Sequence, residues 1–391
     1  MNMEYMYPHL FVLWLNILAT VLLVGAVAFR SMVLNGALMV PEVSSTERTE
    51  VQAESQRRLR RWIAVCVILL VVVSVFDLVL RTQMMSRKPL SAVGAILPMV
   101  LVKSHIGKVW CFKMADLALF GLLWLFVKEQ PRSGVQPLLL LASAGLCLSL
   151  TLSGHPADKG DFSLPVLADW THLAMVSWWV GGLFSLRLLF PKLLPHFEKK
   201  NRVKFESAVL QRFSTCAVIA VSLLLLSGIY TAWLRFQTVS DVVSTSYGIT
   251  LLFKLAFFLP LLVLGAINRY YTRPSLQRLA GEVVQVSWVE RYGTWAISFL
   301  GGGSDEPDHR RLQLRYNSEQ MAMVHLKMFV AVQCLVALVV LALATALTQT
   351  SPPKRVPVTA PGQSSGMTGS MDHSSMEPPS MDHAMPESMH H

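Results

Sequence analysis

The sequence predicts an all-α integral membrane protein, a bundle of about eight transmembrane helices, from three observations. Hydrophobic residues make up 53% of the 391 residues and charged residues only 15%. Long apolar stretches recur along most of the chain, and none of them alternates with the period of a membrane strand. A single soluble core does not hide this much apolar surface, so lipid is the solvent for most of the chain.

The number of membrane spans follows from the length of the apolar stretches. Crossing about 30 Å of hydrocarbon at 1.5 Å per residue takes about 20 residues. The shorter apolar run 90–102 is predicted to form a surface or re-entrant element instead. The eight predicted spans lie approximately at 8–33, 61–79, 109–127, 137–152, 164–190, 213–234, 249–268 and 326–347.

Basic residues in alternate connections predict the orientation. The connections after the first, third, fifth and seventh spans are rich in Lys and Arg, as at Arg57, Lys199 and Arg310. These connections should face the cytoplasm of a bacterial cytoplasmic membrane. The remaining connections carry few basic residues, except for the one after the second span. Both termini are then extracytoplasmic, and the first helix is predicted to be retained rather than cleaved.

The chain divides into a membrane domain, 1–350, and a polar tail, 351–391. The tail is rich in Pro, Ser, Gly and Met, which predicts disorder. The tetrapeptide Ser-Met-Asp-His begins at residue 370 and again at residue 380. Thioether sulfur selects Cu(I), and imidazole suits both copper oxidation states. The alternative is a low-complexity linker in which Met is incidental. The predicted tail ligands are Met371, His373, Met376, Met381, His383, Met385, Met389, His390 and His391.

The fifth span carries the densest group of candidate ligands in the membrane domain. Asp169, His172 and Met175 follow one another at intervals of three residues, so they lie along one face of a helix. A carboxylate one turn before an imidazole can orient it for a metal. His155, in the short turn before this span, is the second imidazole candidate. The alternative for each His is a hydrogen bond within the bundle.

Other ionisable residues lie within or beside the predicted spans. Each costs on the order of 2.5 to 3.5 kcal/mol to insert, so each needs an explanation. The spacing predicts ion pairs within one helix for Asp77 with Arg81 and for Lys113 with Asp116. Lys254 is predicted to reach toward the membrane surface. His9 and several N-terminal Met residues are predicted to lie on the outward face.

Several functional classes find no support in the sequence. The formal net charge of +10 is spread over loops, so a nucleic-acid partner is not expected. No phosphate loop or nucleophile motif appears, so we do not expect an enzyme. No Cys-x-x-Cys pair is present, which disfavours disulfides, zinc ribbons and thiolate copper pumps. The single cysteines are Cys66, Cys111, Cys147, Cys216 and Cys334.

At this point the chain resembles the CopD family of bacterial copper-resistance and copper-transport membrane proteins. The resemblance covers most of the chain and depends on the order of several short motifs. These are Ser153-Gly154-His155, His172 followed by Trp179-x-Gly181-Gly182-Leu183, Arg212-Phe213-Ser214, Ser227-Gly228-Ile229, Tyr247-Gly248 leading to Lys254, Asn268-Arg269 and Pro352-Pro353.

The resemblance implies an eight-helix bundle that binds or moves copper ions, often served by a small extracytoplasmic carrier, CopC. It makes His155 and His172 the best ligand candidates. Two departures stand out. The chain has no fused CopC-like domain, and the last span offers only Gln333 or His325 where an acidic residue is expected.

Three functions therefore remain open. The first is copper transport, with uptake as the expected direction, or copper resistance. The second is a copper chaperone or assembly factor for a cuproenzyme such as an oxidase. The third is a b-type haem protein, which the sequence disfavours because His172 and His325 are expected at different depths.

Overall fold

The membrane helices follow the predicted apolar stretches. The computed structural model describes residues 3–126, 134–154, 160–236, 238–281 and 319–350. Seven helices in these residues are long and apolar enough to cross a membrane, and the number is eight if one bent helix pair forms a single span. The prediction of an all-α multi-pass membrane protein is confirmed. The helices are α1 (Met3–Ala28), α2 (Asn35–Ala37), α3 (Ser45–Ser86), α4 (Leu90–Lys103), α5 (His105–Leu125), α6 (Val135–Leu152), α7 (Leu164–Leu188), α8 (Lys199–Arg235), α9 (Val239–Ser244), α10 (Ser246–Ile267), α11 (Arg273–Leu279) and α12 (Glu319–Gln349).

The short apolar run after α3 forms a helix of its own, and its predicted place at the membrane surface or as a re-entrant element stays a prediction. Helix α4 meets α5 at an angle of 82°. Ser104 stands between them in an extended conformation, and its hydroxyl accepts a hydrogen bond from the Gly107 amide at 3.0 Å. This cap starts α5 and ends α4, because the extended residue cannot continue a helix.

Helices α3 and α8 are much longer than the spans predicted within them. Helix α3 has 42 residues and α8 has 37. A capping box starts α3: the Ser44 hydroxyl accepts from the Glu47 amide, and the Glu47 carboxylate accepts from the Ser44 amide. The same carboxylate accepts from the Glu198 amide at 3.0 Å, which holds the start of α8 beside the start of α3. Hydropathy predicts only the apolar length of a helix, whereas caps decide where the helix begins.

Helices α1 and α7 form the centre of the bundle. They run in the same direction, since three crossings separate them, and we call the end where both begin the outer end. A Cβ built on Gly181 would lie 2.1 Å from the Val21 carbonyl oxygen, and one built on Gly25 would lie 2.2 Å from the Gly181 Cα. The two backbones therefore touch at these glycines, as close packing of helices in a membrane requires.

We expect Gly181→Ala to destabilise the folded protein by about 1–3 kcal/mol, because the added methyl group overlaps the α1 backbone. The thermal midpoint of the detergent-purified protein should fall. Gly121→Ala is the matched control, since a Cβ at Gly121 in α5 meets nothing within 4 Å. Equal midpoints for the two variants would contradict the close contact.

Candidate metal site

Helix α7 presents Asp169, His172 and Met175 near the outer end of the bundle. Pro165 stands in the first turn of α7, where proline needs no amide partner. Asp169 and His172 are half-buried. Met175 is half-buried as well and packs against the hydrophobic core. The three side chains follow the predicted helical spacing, and helices α6, α8 and α10 supply the groups around the first two.

The His172 ring is oriented by α8. Its Nδ1 lies 3.1 Å from the Ser227 Oγ, and a Cβ at Gly228 would lie 3.4 Å from its Cε1. The Ser227 hydroxyl has a single proton, which it donates to the Leu223 carbonyl oxygen at 2.7 Å. With that proton engaged, the hydroxyl offers a lone pair to the His172 Nδ1–H, and the Leu224 carbonyl oxygen on the same helix is a second acceptor for the ring. This assignment leaves a lone pair on Nε2, the atom that a metal would bind.

Within the described residues the His172 Nε2 makes no hydrogen bond. A histidine that binds a metal through one ring nitrogen almost always donates the proton of the other nitrogen to a neighbouring group. The sequence pattern favoured Asp169 as the group that orients the ring. The structure gives that position to Ser227 instead, because the ring turns toward α8 rather than back along α7.

Asp169 belongs to a charged group formed by four helices. Its carboxylate lies beside the Thr151 hydroxyl at the end of α6 and in the electrostatic field of Lys254 and Arg235. The Lys254 ammonium also acts on the His172 ring. Arg235 stacks over the Tyr247 ring with 6.0 Å between the guanidinium carbon and the ring centre. Lys254 therefore faces this site, and its predicted role as a residue that only reaches toward the surface is incomplete.

The remaining predicted ligands are not brought to this site by the described residues. His155 and the tail residues 351–391 lie outside the part of the chain that the structure describes. In the described part, no three His, Cys, Asp or Glu side chains converge closely enough to hold a metal ion. His172 is therefore one candidate ligand, and His155 and the tail residues stay predictions.

The other intramembrane ionisable residues form a second polar group. Asp77 pairs with Arg81 at 3.0 Å, as its spacing predicts. Lys113 does not pair with Asp116 but donates to the Asn16 Oδ1 at 2.6 Å. The predicted Lys113–Asp116 pair is wrong because Lys113 is directed toward α1.

Gln333, which stands where an acidic residue is expected on the last span, has a structural role. Its Nε2 donates to the Leu261 carbonyl oxygen at 3.1 Å, and its Oε1 accepts from the Asn268 side chain at 3.2 Å. Both contacts tie α12 to α10. The neutral amide suits this position, because it must donate and accept at once.

Sequence reasoning named most of the charged residues around His172 but not how they meet. Ser227, Thr151 and Tyr247 were not predicted as parts of a site, since hydroxyl groups within spans are common. Arg235 carried a usable signal, because it is the only basic residue in the connection between the sixth and seventh predicted spans.

Comparison with known proteins assigns the chain to a family. A family model described as "Copper resistance protein D-like, N-terminal domain" matches residues 6–165. A second one, "Copper resistance protein D", matches residues 207–300. The chain belongs to the copper resistance protein D (CopD) family. No solved structure shows a significant match to it.

Two curated relatives carry copper in their names. Copper transport protein CutJ of Bacillus subtilis (strain 168) is 31% identical over 46% of this chain and 34% of its own length. Copper resistance protein D of Pseudomonas syringae pv. tomato is 29% identical over 50% of this chain and 63% of its own length. The chain thus spans about a third of the length of the Bacillus relative and somewhat less than two thirds of the length of the Pseudomonas relative.

We expect Ser227→Ala to weaken copper binding by about 10–100-fold, because the His172 ring loses the group that fixes its Nδ1 proton. Affinity would be measured by competition with a chromophoric chelator, with residues 351–391 removed from every variant. Thr231→Ala is the matched control: it removes a hydroxyl that bonds the backbone of its own helix at 2.8 Å. Equal affinities for the two variants would count against His172 as a ligand.

Proposed function

We propose that this CopD-family chain binds copper ions at the outer end of its bundle and moves them across the bacterial cytoplasmic membrane, in the direction of uptake. Family membership and the names of both relatives support a role in copper transport or resistance. The observation that carries the proposal is the free Nε2 of His172 in a span that also carries a carboxylate. Copper is the substrate, held as Cu(I) or Cu(II).

The charges around His172 suit a site that binds a cation for a short time. Asp169 attracts a cation, while Lys254 and Arg235 oppose it. In the interior of a membrane protein such charges act over a low effective dielectric, so the balance between them is energetically large. An ion that meets both attraction and repulsion can enter and leave, as transport requires.

In this proposal the tail, residues 351–391, collects copper ions for the site at His172. Its Met and His residues would capture ions, from solution or from a CopC-like carrier, on the extracytoplasmic side. Thioether ligands need no deprotonation and do not form disulfides, so they suit an oxidising compartment. The His172 site would then receive the ion.

We expect His172→Ala to reduce copper uptake into proteoliposomes at least about tenfold, because an imidazole ligand is lost. His196→Ala is the control, since this half-exposed ring lies at the other end of the bundle, 3.7 Å from Glu50. Uptake at the wild-type rate in the His172 variant would refute the transport site. Absent uptake in the wild-type protein, together with co-purification of an oxidase, would favour the assembly-factor function.

Removal of residues 351–391 should lower the copper content of the purified protein while leaving the bundle-bound fraction. Metal content would be measured by mass spectrometry, and the ligand atoms by X-ray absorption. We expect the sulfur signal to fall most, because the tail is rich in Met. Unchanged copper content in the truncated protein would show that the tail is only a linker.

A further inference from the structure

Helix α4 lies almost at a right angle to the span that follows it. The two helices meet at 82° across the Ser104 cap. Transmembrane helices tilt by about 20° on average, so α4 lies within roughly 30° of the membrane plane when α5 crosses the bilayer. Because α3 returns from the inner end, α4 begins at the outer end of the bundle. The angle therefore favours a helix that lies along the outer surface of the bilayer.

Much of the surface of α4 is apolar and exposed. Val93 and Val100 are buried where α4 packs against α3 and α5. The remaining surface includes Leu90, Met99 and Val102, which are 58%, 56% and 72% exposed. Residues 90–102 contain no charged side chain. A short helix with such a surface is stable at the boundary between acyl chains and headgroups, where its apolar side chains leave water.

Basic side chains stand at both ends of α4. Arg87 and Lys88 precede the helix, Lys103 ends it, and Lys108 follows in the first turn of α5. We call these four residues the α4 basic residues. All four are exposed, and none of them makes an ion pair with another residue that the structure describes.

The acidic groups that the structure describes nearby do not neutralise the α4 basic residues. Residues 78–115 contain no Asp or Glu. Asp77 is paired with Arg81 at 3.0 Å, and Asp161 lies 2.9 Å from the His105 Nε2 at the start of α5. The described residues therefore leave a net positive charge at the outer end of the bundle. This is the connection that departs from the usual bias of basic residues toward the cytoplasm.

The apolar surface and the basic ends of α4 match two parts of one molecule. The 14 residues of α4 extend about 21 Å at 1.5 Å per residue, so the two basic pairs stand well apart. Lys and Arg carry their charge at the end of an apolar stem, which lets them reach from the acyl boundary to the phosphate layer. Both donate charge-assisted hydrogen bonds to phosphate oxygens. A phospholipid offers acyl chains to the helix surface and a phosphate to the basic ends.

The turn between α8 and α10 gives an internal comparison at the same end of the bundle. It too joins a long helix to a capped span through a short helix, α9. The Ser104 and Thr245 hydroxyls accept from glycine amides three residues later, at 3.0 and 3.1 Å. Residues 238–253 contain no Lys or Arg and carry Asp241. Such a turn therefore forms without basic residues, so the α4 basic residues need another explanation.

We propose that α4 is an interfacial helix and that the α4 basic residues bind anionic phospholipids of the outer leaflet through their headgroup phosphates. The exposed apolar surface of α4 contacts the acyl chains of these lipids. A zwitterionic lipid has the same phosphate, but its own ammonium group offsets the phosphate charge, so it binds more weakly. The interaction is independent of copper and of the transport proposed above.

The test uses the full-length, copper-free protein in nanodiscs of phosphatidylcholine with a smaller fraction of phosphatidylglycerol. One lipid at a time carries a photoactivatable diazirine, and the labelled residues are located by peptide mass spectrometry. Per lipid present, phosphatidylglycerol should label 87–108 at least about fivefold more than phosphatidylcholine, because a basic residue near an anionic surface contributes about that factor. The two lipids should label 238–253 about equally, since that turn has no basic residue.

Removal of the four charges should abolish the preference for phosphatidylglycerol at 87–108. Position 87 takes Asn, because its φ of 55° lies in the left-handed region that Asn tolerates. The neutral variant combines Arg87→Asn, Lys88→Gln, Lys103→Gln and Lys108→Gln. The charge-retaining variant should keep the preference, and it combines Lys88→Arg, Lys103→Arg and Lys108→Arg.

The matched control removes four exposed basic residues from the inner end of the bundle and should leave the preference at 87–108 unchanged. It combines Arg60→Gln, Lys192→Gln, Lys199→Gln and Lys200→Gln. Equal labelling of 87–108 by the two lipids in the wild-type protein would overturn the proposal, and this comparison needs no variant to fold. A preference that survives in the neutral variant would also overturn it. So would absent lipid labelling together with chemical cross-links between the α4 helices of two copies, because a second copy would then cover α4.

Discussion

The contact between Gly25 and Gly181 is the constraint on which the rest of the bundle depends. Lipid tails are as apolar as leucine side chains, so helices in a membrane gain little from apolar burial and associate through close packing. Here the backbones of α1 and α7 touch, and helices α3, α6, α8 and α12 pack around this pair. The contact also sets the depth of Asn16 and His172, each nine residues nearer the outer end.

The second constraint on the structure is the cost of placing charged side chains within membrane spans. A lone charge in a span is costly, and the described helices reduce this cost by placing opposite charges close together, within one helix or between two. Asp77 with Arg81 and Asp169 with Lys254 each bring a carboxylate close to a cation. Lys113 instead meets the Asn16 side-chain amide, and the His172 ring meets the Ser227 hydroxyl.

The His172 environment illustrates how a membrane protein can prepare a ligand without a carboxylate bonded to it. The Ser227 hydroxyl already donates to the backbone of its own helix, so it offers only a lone pair to the ring. That single constraint selects the tautomer with a free Nε2. Such an arrangement costs less within a membrane than an additional charge would.

The sequence by itself determined the helical membrane fold, the positions of the long apolar helices and the CopD family. Hydropathy and cap residues act locally, so they can be recognised without knowing what packs against what. The spacing of Asp169 and His172 in the sequence also placed these two residues on one helix face. Only the tertiary structure decided that Ser227 orients the His172 ring, that Lys254 faces Asp169, and that Lys113 meets Asn16 rather than Asp116. These contacts join helices far apart in the chain, and their geometry depends on how closely α1 and α7 approach, which spacing along one helix does not encode.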